Sequence, residues 1–212
     1  MKKIYLIMTF ICMMMVSCKP DGGDGRHQGH EYVDLGLSVK WATRNVGATS
    51  PEDYGEYFAC GETTTKAEYC SDNCPAYGLS ASDLQSQGYI DDEGNFTPQC
   101  DAATANWGGD WRMPTTLELN ELINSCTWTW TTQNGVDGYN VAGPNGASIF
   151  LPAAGYRSEL SLKYDGTQGR YWSSAPNENL TNYAYFLDID SDGYSVYGSI
   201  RYLGLSVRPV LE

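Results

Sequence analysis

Histidine is nearly absent from this chain of 212 residues; the two that occur are His27 and His30. No imidazole is available beyond residue 30, so Cys–His and Ser–His activation and histidine acid–base catalysis have no partner in the body of the chain. Basic residues are also scarce, with 13 Lys and Arg against 26 Asp and Glu and a formal net charge of −13. A surface of that sign repels phosphate backbones and anionic bilayers, which argues against nucleic acid and against electrostatic docking to lipid. The sequence has no G-x-S-x-G elbow and no phosphate-binding glycine loop. Its cysteines lack the paired C-x2-C knuckles of a four-thiolate zinc site. Carboxylates are plentiful, so a two-carboxylate hydrolase stays open as an alternative, with nothing to single out two of them.

What the N-terminus does hold is ordered. Lys2 and Lys3 precede an apolar run from Ile4 to Val16, which is too short to span a bilayer and suits the core of a signal peptide. Ser17 then precedes Cys18, as in a bacterial lipobox, although Met15 stands where leucine is usual. We read residues 1–17 as a lipoprotein signal peptide and Cys18 as the acylation site. The alternative is an ordinary secretory signal. Lipidation there anchors the chain in the cell envelope without a spanning helix, with the outer membrane and cell surface as the expected location. Residues 18–30 contain glycine, proline and acidic residues but no large apolar side chain, so a flexible tether is expected. With Lys2 and Lys3 removed, 11 cations face 26 anions, a mature charge near −15.

From about residue 31 to 212 the chain reads as one domain rich in Tyr, Trp, Gly, Ser, Thr and Asn. Residues 31–47 suggest two short strands with Val39, Trp41 and Val46 inward, and Tyr57 to Cys60 a third. Residues 63–100 are polar and irregular, an excursion with room for one short helix. Of the five cysteines after Cys18, four (Cys60, Cys70, Cys74 and Cys100) lie at 60–100, so that excursion is expected to be stapled in an oxidising compartment. Cys126 follows Leu119, Leu122 and Ile123 on one helical face and reads as a free thiol packed like a small apolar residue. Asp101 to Trp107 forms a short helix. A second starts at Thr115, where Thr115-x-x-Glu118 is a capping box. Strand patterns crowd the remainder, with turns at Asn134-Gly135 and Asn145-Gly146. Helices followed by many short, mostly antiparallel strands indicate an α+β fold.

Asp188-x-Asp190-x-Asp192-Gly193 opens like a calcium loop. Ser199 occupies the twelfth position, where an EF-hand needs glutamate, and no helical pattern flanks the loop, so it is not an EF-hand. A two-residue turn at Asp192-Gly193 instead pairs Ile189 with Val196 on one face and sets Asp188 and Asp190 opposite Tyr197 and Ser195 on the other. Asp188 and Asp190 would then project about 7 Å apart, leaving Asp188, Asp190 and Asp192 as weak candidates for a surface calcium. No other cofactor is indicated. Residues 157–202 are dense in Tyr, Asn, Ser and Asp, the palette of binding surfaces. The candidates there are Arg157, Tyr164, Arg170, Tyr171, Asn177, Asn179, Asn182, Tyr194, Tyr197, Arg201 and Tyr202. The alternative is that many of them simply decorate solvent faces of strands.

EYVDLGLSVKWATRNVG, YGEYFACGE, DAATANWGGDWRMPTTLELNELI, NGASIFLPAAGYR, GRYWSSAP and RYLGLSVRPV occur in that order. Together they resemble the Fibrobacter succinogenes major paralogous domain family of Bacteroidetes envelope proteins, over most of 31–212 except 63–100. Cys60 departs from the family's frequent tryptophan. The resemblance implies a C-type-lectin-like fold with two short helices, and extracellular recognition of a glycan or protein rather than catalysis. It also resembles lectin-fold proteins whose C-terminal face is diversified. The Glu-Pro-Asn and Trp-Asn-Asp elements of calcium-dependent lectins are missing: Ala175-Pro176-Asn177 reads as a turn. The paired C-terminal cysteines of formylglycine-generating enzymes, which share that fold, also have no counterpart after Cys126. A structural or assembly role in the envelope is the alternative to ligand recognition.

Overall fold

The structure, a computed structural model, describes residues 24–212. The signal peptide expected at 1–17 and the expected acylation site Cys18 lie outside the described residues. The elements in chain order are β1 (Asp24–His27), β2 (His30–Val33), β3 (Lys40–Ala42), α1 (Ala81–Ser86), α2 (Ala102–Trp107) and α3 (Thr116–Ser125). Then follow β4 (Thr127–Gln133), β5 (Val136–Ala142), β6 (Ser148–Pro152), β7 (Tyr156–Ser158), β8 (Ser161–Lys163), β9 (Gln168–Pro176), β10 (Tyr183–Asp190), β11 (Gly193–Ile200) and β12 (Val210–Leu211). The result is a mostly antiparallel β domain with few helices. There are three α-helices among the described residues rather than two.

The strands form four small sheets, ordered β1-β2-β3-β12, β11-β10-β9, β4-β5-β6 and β7-β8. Within each, paired strands run antiparallel. β12 pairs with β3, which ties the C-terminus to the N-terminal sheet. Strand β10 lies between two cores. Phe186 and Ala184 join Trp172, Phe58, Trp111 and Leu205 on one side, while Leu187 and Ile189 join Leu119, Leu122, Val141 and Tyr171 on the other. Phe186 and Leu187 are therefore buried on opposite faces of β10, which fixes its register. Helix α3 begins as expected: the Thr115 hydroxyl accepts the Glu118 N–H, and Glu118 accepts the Thr115 N–H at 2.8 Å.

Four expectations need correction. The tether expected up to residue 30 is already a hairpin from Asp24, where Asp24 faces Val33 and His27 faces His30. Its turn is made by Gln28 and Gly29 at φ +48° and +80°. A ladder of backbone bonds needs no large apolar residue, and aromatic contacts supply the rest. The His30 ring stacks on Trp107 with centroids 3.8 Å apart, and the Trp111 indole N–H donates to the His27 carbonyl. Residues 57–60 are buried but make only one strand-like bridge, Phe58 to Leu205. The cysteines of the 63–100 excursion are free thiols. Packing holds the excursion instead, through buried Tyr69, Cys74, Ala76 and Leu84. Burial pushes the Cys74 thiol up to about 11 and the Cys60 thiol higher still.

The fourth correction is the aspartate hairpin, which forms two residues out of the expected register. Asp190 faces Gly193, Asp188 faces Ser195 and Ile189 faces Tyr194, so the loop is Ser191-Asp192. The Asp190 carboxylate accepts the N–H groups of Asp192 (2.9 Å) and Gly193 (3.1 Å) and closes the turn itself. Positive φ is then unnecessary, and none of Ser191, Asp192 and Gly193 has it. A slip of two preserves the alternation of faces, so Asp188, Asp190, Ser195 and Tyr197 still share a side.

Candidate functional site

One face of the β9–β10–β11 sheet, buried at Trp172 and Phe186 and partly open beyond them, carries three rows across the strands. Gln168, Asp190 and Gly193 form the first, Arg170, Asp188 and Ser195 the second, and Trp172, Phe186 and Tyr197 the third. Neighbouring backbone groups are satisfied by the ladder, so the side chains are left to pack on the face. The Arg170 guanidinium lies 4.0 Å from the Tyr156 ring centroid and 5.3 Å from that of Phe186. Contacts of this kind stabilise by about 1 kcal/mol. Tyr156, on β7, stacks in turn on Tyr164 at 5.8 Å, and Phe186 meets Tyr197 at 6.4 Å. A continuous row thus runs Tyr164–Tyr156–Arg170–Phe186–Tyr197. Only its ends are open: Tyr164 is 61% exposed and Tyr197 56%. Tyr164 also sits at φ +56°, a left-handed conformation costly for a bulky residue.

Beside this row lies a depression of about 330 Å³ lined by Asp188, Asp190, Asp192, Ser195 and Tyr197. Two of its three carboxylates are already engaged. Asp188 pairs with Arg170 at 3.3 Å and accepts the Gln168 amide at 3.3 Å. Burial pushes its carboxyl above the ordinary range, with Arg170 pulling against it. Asp190 closes the turn, and Asp192 is exposed at the tip. Among the described residues no three His, Cys, Asp or Glu side chains are grouped to share a metal ion. The aspartate spacing that opens like a calcium loop builds a hairpin and an ion pair here.

The other sequence candidates separate from this face. Tyr171 is buried, and its hydroxyl donates to the Pro152 carbonyl at 2.5 Å. Arg201 is fully buried and donates to the carbonyls of Ala76, Leu79 and Tyr183 at 2.8–2.9 Å. Neither can meet a ligand, and both are corrected from binding residues to structural ones. Asn177 folds its own turn by accepting the N–H groups of Asn179 and Leu180 at 2.9 Å, in keeping with the turn expected at Pro176-Asn177. Asn179 is exposed on that turn, and the Asn182 carbonyl accepts the Arg201 N–H. Tyr194 stacks on Trp128 at 4.3 Å against the second core, and Tyr202 packs edge-on to Tyr77 at 5.3 Å. Arg157 points to a separate depression. The face therefore keeps Tyr164, Arg170 and Tyr197, and adds Tyr156, Gln168, Phe186 and Ser195. Strand alternation from Arg170 and Asp188 was the signal available for Gln168 and Ser195.

A larger cleft, about 420 Å³, lies beside the starts of α2 and α3 and includes Asp91, Asn95, Asp101, Arg112, Ser174 and Glu212. Its inner polar groups are committed to architecture. Asp101 accepts the Thr104 N–H at 2.9 Å and the Met113 N–H at 2.8 Å, fixing α2 to the segment before α3. Arg112 makes two bonds to Glu118, at 2.8 and 2.6 Å. Burial works to raise Glu118, but the Arg112 and Thr115 hydrogen bonds overcome it and hold the carboxyl below its usual range. Size alone does not make this cleft the site, because few of its inner polar groups remain unspent.

No curated protein matches the chain, and no solved structure does. The face just described lies within residues 99–210, which match the model of a family described as domain of unknown function (DUF8237). That match spans more than half of the chain, so the chain belongs to that family.

Proposed function

We propose that this protein is a non-catalytic binding module, tethered to the cell surface by lipid at Cys18, that recognises an extracellular glycan. The observation that carries the reading is the row Tyr164–Tyr156–Arg170–Phe186–Tyr197, half-buried at Tyr156 and Arg170, buried at Phe186 and open at both end rings. Open tyrosine rings stack on the apolar faces of sugars, and the neighbouring Asp190, Ser195 and Gln168 suit sugar hydroxyls. The pairing of Asp188 with Arg170 and the capture of Asp190 by its turn leave no free acid–base couple on this face, which favours binding over hydrolysis. The C-type-lectin-like fold and the likeness to the Fibrobacter succinogenes major paralogous domain family belong to the same proposal.

The test is binding of the purified chain to a broad glycan panel, with calcium and with chelator. Binding that survives chelation and is lost in Tyr164→Ala and Tyr197→Ala supports the reading. Loss on chelation would bring a cation back to Asp188 and Asp190. A blank panel would overturn the glycan ligand in favour of a protein partner or an envelope assembly role.

A further inference from the structure

Beside Arg157, which follows Tyr156 on β7, lies a further depression, of about 350 Å³. It is bounded by Gly55, Glu56, Tyr57, Lys66, Tyr69 and Arg157. Six of the seven arginines, Arg26, Arg44, Arg112, Arg170, Arg201 and Arg208, each have at least one carboxylate or backbone-carbonyl partner within the chain, although Arg44 and Arg170 keep a buried Nε without a hydrogen bond. Arg157 is different. Among the described residues no carboxylate lies within 4 Å of its guanidinium and no acceptor takes its hydrogen bonds.

Arg157 is not loose. Its backbone exchanges hydrogen bonds with Gly204 in both directions, at 2.7 and 2.9 Å. Its guanidinium lies 5.4 Å from the Tyr57 ring centroid, and the side chain is half-buried. Lys66 approaches the Tyr69 ring at 5.5 Å and is fixed by Glu62 at 2.7 Å and by the Asn73 carbonyl. A held guanidinium with its fork open is a preorganised place for a planar anion. The Tyr57 and Tyr69 hydroxyls are already donated to the carbonyls of Ala154 and Tyr57, so they do not compete for it.

We infer that this depression binds the carboxylate of a sugar acid, with Arg157 as the forked donor; Lys66, its charge already balanced by Glu62, only lines the wall. The volume suits one acidic hexose residue, and Glu56 at the exposed rim opposes the anion. This site is independent of the aromatic row on β9–β11. It would stand if that row proved not to bind glycan.

The experiment is titration of the purified full chain with glucuronate, its uncharged methyl ester, glucose and acetate, followed by calorimetry and amide chemical shifts. The expected result is glucuronate binding that perturbs the amides of 55–57, 65–69 and 157, with no binding of the methyl ester or glucose. Arg157→Gln should weaken it by roughly tenfold or more, the loss of a charge-assisted pair. Arg157→Lys, which keeps the charge and removes the fork, should weaken it less, and Glu56→Gln should strengthen it. Absence of glucuronate binding, or binding indifferent to Arg157→Gln in a variant that melts like the parent, overturns the inference. Equal affinity for acetate overturns the sugar acid as the ligand.

Discussion

Around Arg201 the polar groups turn inward, and around Arg170 they turn out. Both arginines belong to the same Tyr/Asn/Ser-rich stretch. The difference comes from the state of the backbone. Arg201 sits where the irregular 63–100 excursion meets the 177–183 turn, and there the carbonyls of Ala76, Leu79 and Tyr183 receive its guanidinium N–H groups. A buried carbonyl must find a donor, and the guanidinium supplies several from one side chain. Arg170 sits in mid-strand, paired across to Asp188 in a ladder that already satisfies the backbone. Its guanidinium is left to Tyr156, Phe186 and Asp188. The same residue type is thus a staple where secondary structure is missing and a surface element where it is complete.

The most demanding test of that contrast is removal of each arginine. Arg201→Leu strips several buried carbonyls of their donors at once and should cost about 3–5 kcal/mol in urea unfolding. Arg170→Leu loses a partly exposed ion pair and two cation–π contacts and should cost about 1–2 kcal/mol. Equal losses would break the comparison. Tyr171→Phe comes next. Its hydroxyl meets the buried Pro152 carbonyl, so the substitution should cost about 1–2 kcal/mol while leaving glycan binding as it was.

These arginines also mark where reading residues one after another stops. The capping box at Thr115, the helix from Asp101 and the turn at Asn134-Gly135 are local. Each is a contest among residues a few positions apart, and each forms as expected. The left-handed turn at Asn134-Gly135 follows from its two residues alone, with φ +49° and +86°. Arg201 and Tyr171 are decided by partners at Ala76, Leu79 and Pro152, which no local pattern announces. The aspartate hairpin falls between these cases. Its faces follow from alternation, but its register was settled by one carboxylate oxygen of Asp190 competing with the glycine preference for a turn. The strand at Asp24–His27 was hidden for a related reason. Gly25, Arg26 and His27 carry no apolar signal, and the hairpin rests on backbone bonds and on the aromatic side chains of Trp107 and Trp111.

A subtler contrast sets Asp188 on the open face against Glu118 at the start of α3. The folded chain raises Asp188, chiefly by burial, and lowers Glu118, where hydrogen bonds from Arg112 and Thr115 outweigh burial. A raised carboxyl binds its proton more tightly when folded, so its contribution to stability falls as pH rises from the unfolded value through the folded one. A depressed carboxyl contributes stability above its unfolded value and loses it as pH falls through the folded one. Urea midpoints measured across the acid range should therefore change in opposite directions. Asp188→Asn should remove a stretch of declining stability just above the ordinary carboxylate range. Glu118→Gln should remove a stretch of rising stability at and below it. Changes of the same sign in both variants would mean that Asp188 is governed by Arg170 rather than by burial.

The smallest expected effect on folding is the most informative about function. Tyr197 and Tyr164 each present most of a ring to water, and each touches the row through one neighbour, Phe186 or Tyr156. Tyr197→Ala should change stability by no more than about 0.5 kcal/mol, as for other surface substitutions away from the core. If the rings are held open for a ligand, the same substitution should weaken glycan binding by roughly tenfold, the weight of an aromatic anchor at an interface. A residue kept only as solvent decoration would show neither effect. One that closes the hydrophobic edge of Phe186 would show the stability loss without the binding loss. Measuring both on Tyr197→Ala and Tyr164→Ala separates the three roles. It also asks whether the left-handed backbone of Tyr164 is held in place for the sake of its ring.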